Sequence, residues 1–218
     1  IPLSSSKVLN MVSLGVDKFT VTLARILPNQ INHLISQTYG NIKNPQFRNY
    51  SFDEKNMSEV FTKDIKLNSD YKTPNYSSVN LADYMKQGKG LFLVNAKADW
   101  QVEDRRLIMV SDIGIIYKEA EDGTSKLYAV SLAQEKPLKN AKVEVLAVNG
   151  TVIKTLYTND EGIAEIPDLS DYEYEKEPVA FIVKTDNDFN YIPYNRGDRY
   201  VSYSKYDVSG DIYDRDLE

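Results

Sequence analysis

Lys142-Val-Glu-Val-Leu-Ala-Val-Asn-Gly-Thr-Val-Ile153, followed by Leu156-Tyr-Thr-Asn-Asp-Glu-Gly-Ile-Ala-Glu-Ile-Pro167, decides the fold class. Val143, Val145 and Ala147 alternate with Lys142, Glu144 and Leu146. A period of two suits a strand with one face buried. Asn149-Gly150 lies between two such runs. That dipeptide predicts a hairpin with a type I′ turn, in which both central residues take positive φ. Asn159-Asp-Glu-Gly162 reads as a second glycine-centred turn. The stretch predicts successive antiparallel strands in a β-sandwich and carries no group that resembles a reactive centre.

Outward from there, the same alternation recurs. Residues 105–117 supply one or two strands, Asp122-Gly123 a turn and Leu127–Leu132 another strand. Pro178–Lys184, a turn at Asp186-Asn-Asp188, and Phe189–Tyr194 continue the series, and an extended tail runs to Ser204. In the first half, Val8–Gly15 and Phe19–Arg25 read as strands, as does Val60–Leu67. Leu91–Ala98 is apolar at both alternate sets of positions, so it predicts a strand buried on both faces. Between Asn29 and Tyr39 the period changes: Ile31, Leu34 and Ile35 share one helical face, opened by Pro28 or Asn29 and closed by Gly40. Residues 1–7, 41–58 and 68–80 are polar and read as a lead-in and two loops.

The fold class is therefore mainly β: two consecutive antiparallel β-sandwich domains, residues 1–101 with a short helix near 29–39, and residues 102–210. Residues 211–218 form a tail, and Leu217-Glu218 is a pair that often remains from cloning before a purification tag. Asp99–Asp104 is the boundary, where Trp100 would pack between the halves.

Composition narrows the function. A net charge of −6 over 218 residues disfavours phosphate-mediated binding of nucleic acid and docking on an anionic membrane. No apolar run approaches the roughly 20 residues that span a bilayer. With no cysteine, disulfides, thiolate nucleophiles, thiolate zinc sites and an internal cysteine thioester are all ruled out. His33 is the sole imidazole and lies in the first predicted domain, away from the stretch that decides the fold class, so no Ser-His-acid set is found, and as a metal ligand it would lack partners. Glu173 and Glu175 lie in an acidic loop without apolar cover, so they do not read as a general acid–base pair.

Three further features have a sharp and a plain reading. Gly88-Lys89-Gly90 resembles part of a phosphate loop but lacks the following Lys-Ser/Thr, so a hairpin turn is the reading. Asp186, Asp188 and Asn190 alternate oxygen ligands as a calcium loop does, without the distal acid, and Asp211, Asp214 and Asp216 form a similar cluster in the tail. Arg196-Gly197-Asp198 reads as a glycine turn rather than an adhesion tripeptide. The sixteen tyrosines concentrate late, at Tyr172, Tyr174, Tyr191, Tyr194, Tyr200, Tyr203, Tyr206 and Tyr213. They fill a sandwich edge or an inter-domain contact, or they form an exposed glycan-binding platform of a surface adhesin. No catalytic, cofactor-binding or metal residue is assigned, and no enzyme activity is expected.

The succession of motifs resembles the bacterial alpha-2-macroglobulin family. The carriers are Leu107-Ile-Met-Val-Ser-Asp-Ile-Gly-Ile-Ile-Tyr117, Ser131-Leu132, Lys136-Pro-Leu-Lys-Asn-Ala-Lys-Val143, Thr158-Asn-Asp-Glu-Gly162, Asn187-Asp-Phe189, Ile192-Pro193 and Ser204-Lys-Tyr-Asp-Val-Ser-Gly210. Looser matches in the first half are Phe19-Thr-Val-Thr-Leu-Ala-Arg25, Leu81-Ala-Asp-Tyr84 and Gly90-Leu-Phe-Leu-Val94. The resemblance implies tandem macroglobulin-like sandwiches from the N-terminal half of a larger chain, upstream of a domain with a tyrosine-arginine-proline-glycine-glutamate signature. It implies non-catalytic scaffold domains of an endopeptidase trap in the periplasm or cell envelope, with neighbouring domains of the parent chain as direct partners. Proteases would be met only through the full-length protein. No bait segment or thioester motif appears in the sequence.

Overall fold

The structure, a computed structural model, describes residues 7–41, 44–47, 57–67, 72–84, 88–98, 102–119 and 124–194. It is mainly β, built of antiparallel pairs throughout. In the first half the strands are β1 (Val8–Ser13), β2 (Lys18–Ile26), β3 (Thr38–Asn41), β4 (Asn44–Phe47), β5 (Ser58–Lys66), β6 (Asn75–Asn80), β7 (Gly90–Lys97) and β8 (Glu103–Val110). One helix, α1 (Ile31–Gln37), follows a 3-10 turn at Pro28–Gln30. The second half contains β9 (Ile113–Glu119), β10 (Ser125–Ser131), β11 (Lys136–Pro137), β12 (Lys142–Ala147), β13 (Val152–Tyr157), β14 (Ile163–Ile166), β15 (Pro178–Thr185) and β16 (Asp188–Pro193).

The first half stacks the two-stranded ribbon β1-β6 over a four-stranded sheet ordered β5-β2-β7-β8. Phe19, Val21 and Leu23 of β2 meet Phe92 and Val94 of β7 and Val79 of β6 between these layers. Bulky and β-branched residues at alternate positions make this face, as the pleat requires. The second half is a two-sheet sandwich. One sheet runs β13-β12-β15-β16, and the other is centred on β10, flanked by β9 and β14, with β11 continuing along it. Val143 and Val145 pack with Phe181, Val183, Leu127 and Ala129 in its core. Phe181 is stacked on Tyr117 at 5.0 Å between ring centroids and meets Tyr194 edge-on at 5.6 Å. Each such large apolar side chain, fully buried, contributes about 1.5–3 kcal/mol.

Several expectations are met locally and others are corrected. Val8–Ser13, Lys18–Ile26, Ser58–Lys66 and Gly90–Lys97 are strands as read, and β7 is buried on both faces. Ile31 and Leu34 of the helix are buried. The chain then passes straight into β3, so Gly40 pairs with Pro45 in a hairpin instead of closing the helix. Residues 75–80 are not loop: they form β6, whose polar alternation (Asn-Tyr-Ser-Ser-Val-Asn) hides a strand paired along all of β1. Gly88 and Gly90, with φ of +66° and +132°, do not make a hairpin, because β6 and β7 lie in different layers. They steer the chain from ribbon to sheet.

The strand at Glu103–Val110 is also reassigned. It pairs with β7 from Lys97↔Glu103 to Gly90↔Val110, so it closes the first half's sheet, and Ser111-Asp112 connects it to β9. The β12–β13 hairpin exists, but its loop is Val148-Asn-Gly150. The N–H of Gly150 donates to Ala147 O at 2.9 Å, and only Gly150 (φ +83°) is left-handed. This is a three-residue loop with a glycine bulge rather than type I′. Asn159–Gly162 carries the chain from one sheet to the other, with Gly162 at φ +74°. Finally, β12 is buried on both faces, Glu144 and Leu146 included. Trp100, the Asp122-Gly123 turn, Arg196-Gly197-Asp198, the tyrosines from Tyr200 onward, and the acidic tail with Leu217-Glu218 lie outside the described residues.

Candidate functional site

The second face of β12 is buried because the two halves share a hydrophobic layer. Ile26, Ile31, Leu34, Leu91 and Leu93 come from the first half, and Leu146, Ala180, Ile182 and Tyr191 from the second. Alternation explains each membership. Leu91 and Leu93 are the odd-numbered face of β7, opposite Phe92 and Val94, and Ala180 and Ile182 are the face of β15 opposite Phe181 and Val183. The helix sits against β15 and fills the space that bare sheets would leave.

Polar contacts rim this seam. The Asn32 amide, 1% exposed on α1, donates through Nδ2 to Val148 O at 3.2 Å, which ties the helix to the β12–β13 loop. Gly150 is required there. A Cβ at this position would stand 3.0 Å from Asn32 Nδ2. Lys89, which follows Gly88, reaches across to Asp188 at the start of β16, with Nζ 3.3 Å from Oδ2. The same Oδ2 accepts the N–H of Asp112 at 2.9 Å, so one buried carboxylate touches the first half, the second half and the connection between them. Away from the seam, on the opposite face of β2, Arg25 is also buried, paired through Nε with Glu59 at 2.8 Å and placed over the Phe92 ring.

On β12, an inner strand of the second half's sheet, Glu144 is 5% exposed and lies between Lys142 and Lys184. Burial pushes its carboxyl pKa up, but the hydrogen bonds and charges of the two lysines outweigh that and hold it below the ordinary carboxylate value. The partner Lys142 is correspondingly raised by Glu144.

None of this forms a reaction centre among the described residues. His33 is exposed on α1. Glu173 and Glu175 are exposed around a 3-10 turn. Asp186 is exposed in the β15–β16 turn, while Asp188 points into the seam and Asn190 donates to Ile113 O at 2.6 Å. The three alternating oxygens therefore diverge instead of converging. Among the described residues no group of three histidines or acids could hold a metal. Of the late tyrosines, Tyr191 enters the seam, and Tyr172 and Tyr194 pack on the second core. The exposed Tyr76, Tyr157 and Tyr174 stand on three separate elements. The seam role of Lys89 and Asn32 was not read from the sequence. Its only local signal was a lysine enclosed by two glycines.

Residues 110–213 match the family model described as the bacterial alpha-2-macroglobulin MG3 domain. An alpha-2-macroglobulin of Rickettsia conorii is 37% identical over 96% of this chain, and one of Pasteurella multocida is 31% identical over 88%. The chain belongs to the bacterial alpha-2-macroglobulin family. It spans 12% and 11% of the lengths of those two relatives. The fold agrees. The crystal structure of Escherichia coli alpha-2-macroglobulin spanning domains NIE-MG1 superposes with a TM-score of 0.64 at 18% identity, over 84% of this chain and 86% of that one. Within an alpha-2-macroglobulin, a segment of this fold is a scaffold part, and the seam is what gives it a defined internal geometry.

Proposed function

We propose that this segment is a non-catalytic scaffold of a bacterial alpha-2-macroglobulin that traps endopeptidases outside the cytoplasm, in the periplasm or anchored at the cell envelope. It comprises two macroglobulin-like units meeting at Ser111-Asp112, and it serves its neighbours in the parent chain by fixing their spacing. The observation that supports this reading best is the shared apolar layer. Side chains from both halves are buried in it to between 0 and 8% exposure, and this is a structural investment in holding two bodies together. A capture surface would place them outward. Sandwich cores resist local opening, so a cut elsewhere in the parent can be converted into rigid-body movement. The protease meets other parts of the parent, and this segment carries the displacement.

The test compares the parent protein with the 218-residue chain. Each is incubated with an endopeptidase, and the cleavage of a large protein substrate is followed. The parent slows cleavage and the isolated chain neither slows it nor cleaves anything itself. Inhibition or hydrolysis by the isolated chain, or no inhibition by the parent, sinks the reading. The other reading, a glycan-binding adhesin module, needs a tyrosine platform, whereas Tyr117, Tyr172, Tyr191 and Tyr194 pack against the cores and the exposed Tyr76, Tyr157 and Tyr174 stand on separate elements.

A further inference from the structure

We propose that the joint between the two halves is fixed, so that the sheets packed on either side of the seam move as one rigid body and any hinge of the parent protein lies away from Ser111-Asp112. The inference rests on the seam alone and holds whatever the parent captures. A hinge needs a few residues free to change φ and ψ. The connection here is two residues long, and both are held. Ser111 is 4% exposed, and its Oγ accepts the N–H of Ile113 at 3.0 Å. Asp112 donates its N–H to Asp188, accepts the N–H of Leu132 on its carbonyl, and takes Ser131 Oγ–H and Ala133 N–H on its two carboxylate oxygens at 2.6 and 2.7 Å. These bonds tie the connection to the second half, so a rotation has to fall where Ser111 leaves the β7–β8 ladder, and it would pull Lys89 from Asp188 and open the apolar layer.

Beyond the connection, the halves are joined at separated points. Lys89 pairs with Asp188 on one side and Asn32 meets Val148 on another, and the apolar layer lies between. Domains joined by a single linker are expected to move relative to each other unless the interface is large and hydrophobic. Here Ile26, Leu91 and Ile182 are 0–1% exposed in that interface, so swinging open would hydrate core-grade side chains.

The chain has no cysteine, which permits a clean distance measurement. Lys66 on β5 and Lys126 on β10 are exposed, one in each half, and Lys154 on β13 is exposed within the second half. Spin labels are attached to K66C/K126C and, as a reference, to K126C/K154C. Pulsed dipolar spectroscopy then gives two distance distributions. A fixed joint yields a single K66C/K126C peak as narrow as the reference, and calorimetry of the unlabelled chain shows one transition with equal calorimetric and van't Hoff enthalpies. Two peaks, a distribution more than about twice the reference width, or two separate melting transitions overturn the proposal.

Discussion

Lys89 Nζ stands 3.3 Å from Asp188 Oδ2, and this ion pair crosses from the first half of the chain to the second. The Asp188 side chain is 2% exposed and that of Lys89 27%, so the acid depends on the lysine far more than the lysine on the acid. Removing the lysine leaves a buried carboxylate with only the Asp112 N–H and an Oδ1 that has no partner. K89M is expected to destabilise the chain by an amount at the low end of the roughly 3–5 kcal/mol typical of breaking a buried pair, since water reaches the lysine side. The decisive comparison is the double variant. K89M/D188N holds no unpaired charge and keeps an acceptor for Asp112, so urea denaturation should find it more stable than K89M alone. A double variant no more stable than K89M would mean that the charge is not what matters.

The glycine at the helix–loop contact makes a second prediction. G150A meets two obstacles, a left-handed backbone at φ +83° and the Asn32 amide 3.0 Å from the new Cβ. G162A meets a worse one, because its Cβ would lie 2.5 Å from the backbone oxygen of Ala129 at φ +74°. A non-glycine residue held left-handed costs about 1–2 kcal/mol, and the contact adds to that. Chemical denaturation should rank G162A as more destabilised than G150A. N32A should lessen the cost of G150A, giving a non-additive double-mutant cycle, whereas N32A and G162A should add.

Acid should weaken the chain partly through Glu144. Its burial raises the pKa, and the hydrogen bonds from Lys142 and Lys184 more than reverse that, so the folded value lies below the unfolded one. A depressed folded pKa contributes stability that is complete above the unfolded glutamate value of about 4.3 and fades as pH falls below it toward the folded value. E144Q removes this slope. The difference in unfolding free energy between wild type and E144Q should be constant from pH 6 to 8 and shrink as pH drops below about 4.3. An unchanged difference down to strongly acid pH would show that the triad does not titrate in this way.

These sites also show what the sequence could tell. Alternation made β7 legible as buried on both faces, because Leu91, Phe92, Leu93 and Val94 leave no polar side. The same rule missed β6, since Asn75-Tyr-Ser-Ser-Val-Asn80 buries only Val79 deeply and borrows its order from pairing with β1. Allegiance was hidden for a related reason. The pattern in Arg105–Val110 says which face is apolar but not which neighbour supplies the ladder, and so β8 read as the start of the second half. In β12 the seam was concealed behind Lys142 and Glu144. A buried glutamate enclosed by two lysines looks, in one dimension, like a solvated face. A single imidazole and no thiol leave the sequence few reactive constellations to suggest.

Calcium gives the last test. Asp186, Asp188 and Asn190 have the alternation of an oxygen-ligand loop, yet the structure commits two of them elsewhere. Asp188 serves Lys89 and Asp112, and Asn190 donates its amide to Ile113 O at 2.6 Å. To bind calcium, a hard cation that takes six to eight oxygens, the hairpin would have to abandon these contacts and turn Asp188 out of the seam. Anything that binds the folded state alone raises the melting temperature with ligand concentration. The melting temperature should therefore be the same in millimolar calcium and in excess chelator, and D186A should leave it within the scatter of an ordinary surface substitution, about 0.5 kcal/mol. A rise of several degrees with calcium, abolished by D186A, would show that the β15–β16 turn rearranges into a site and that the seam is less committed than its hydrogen bonds indicate.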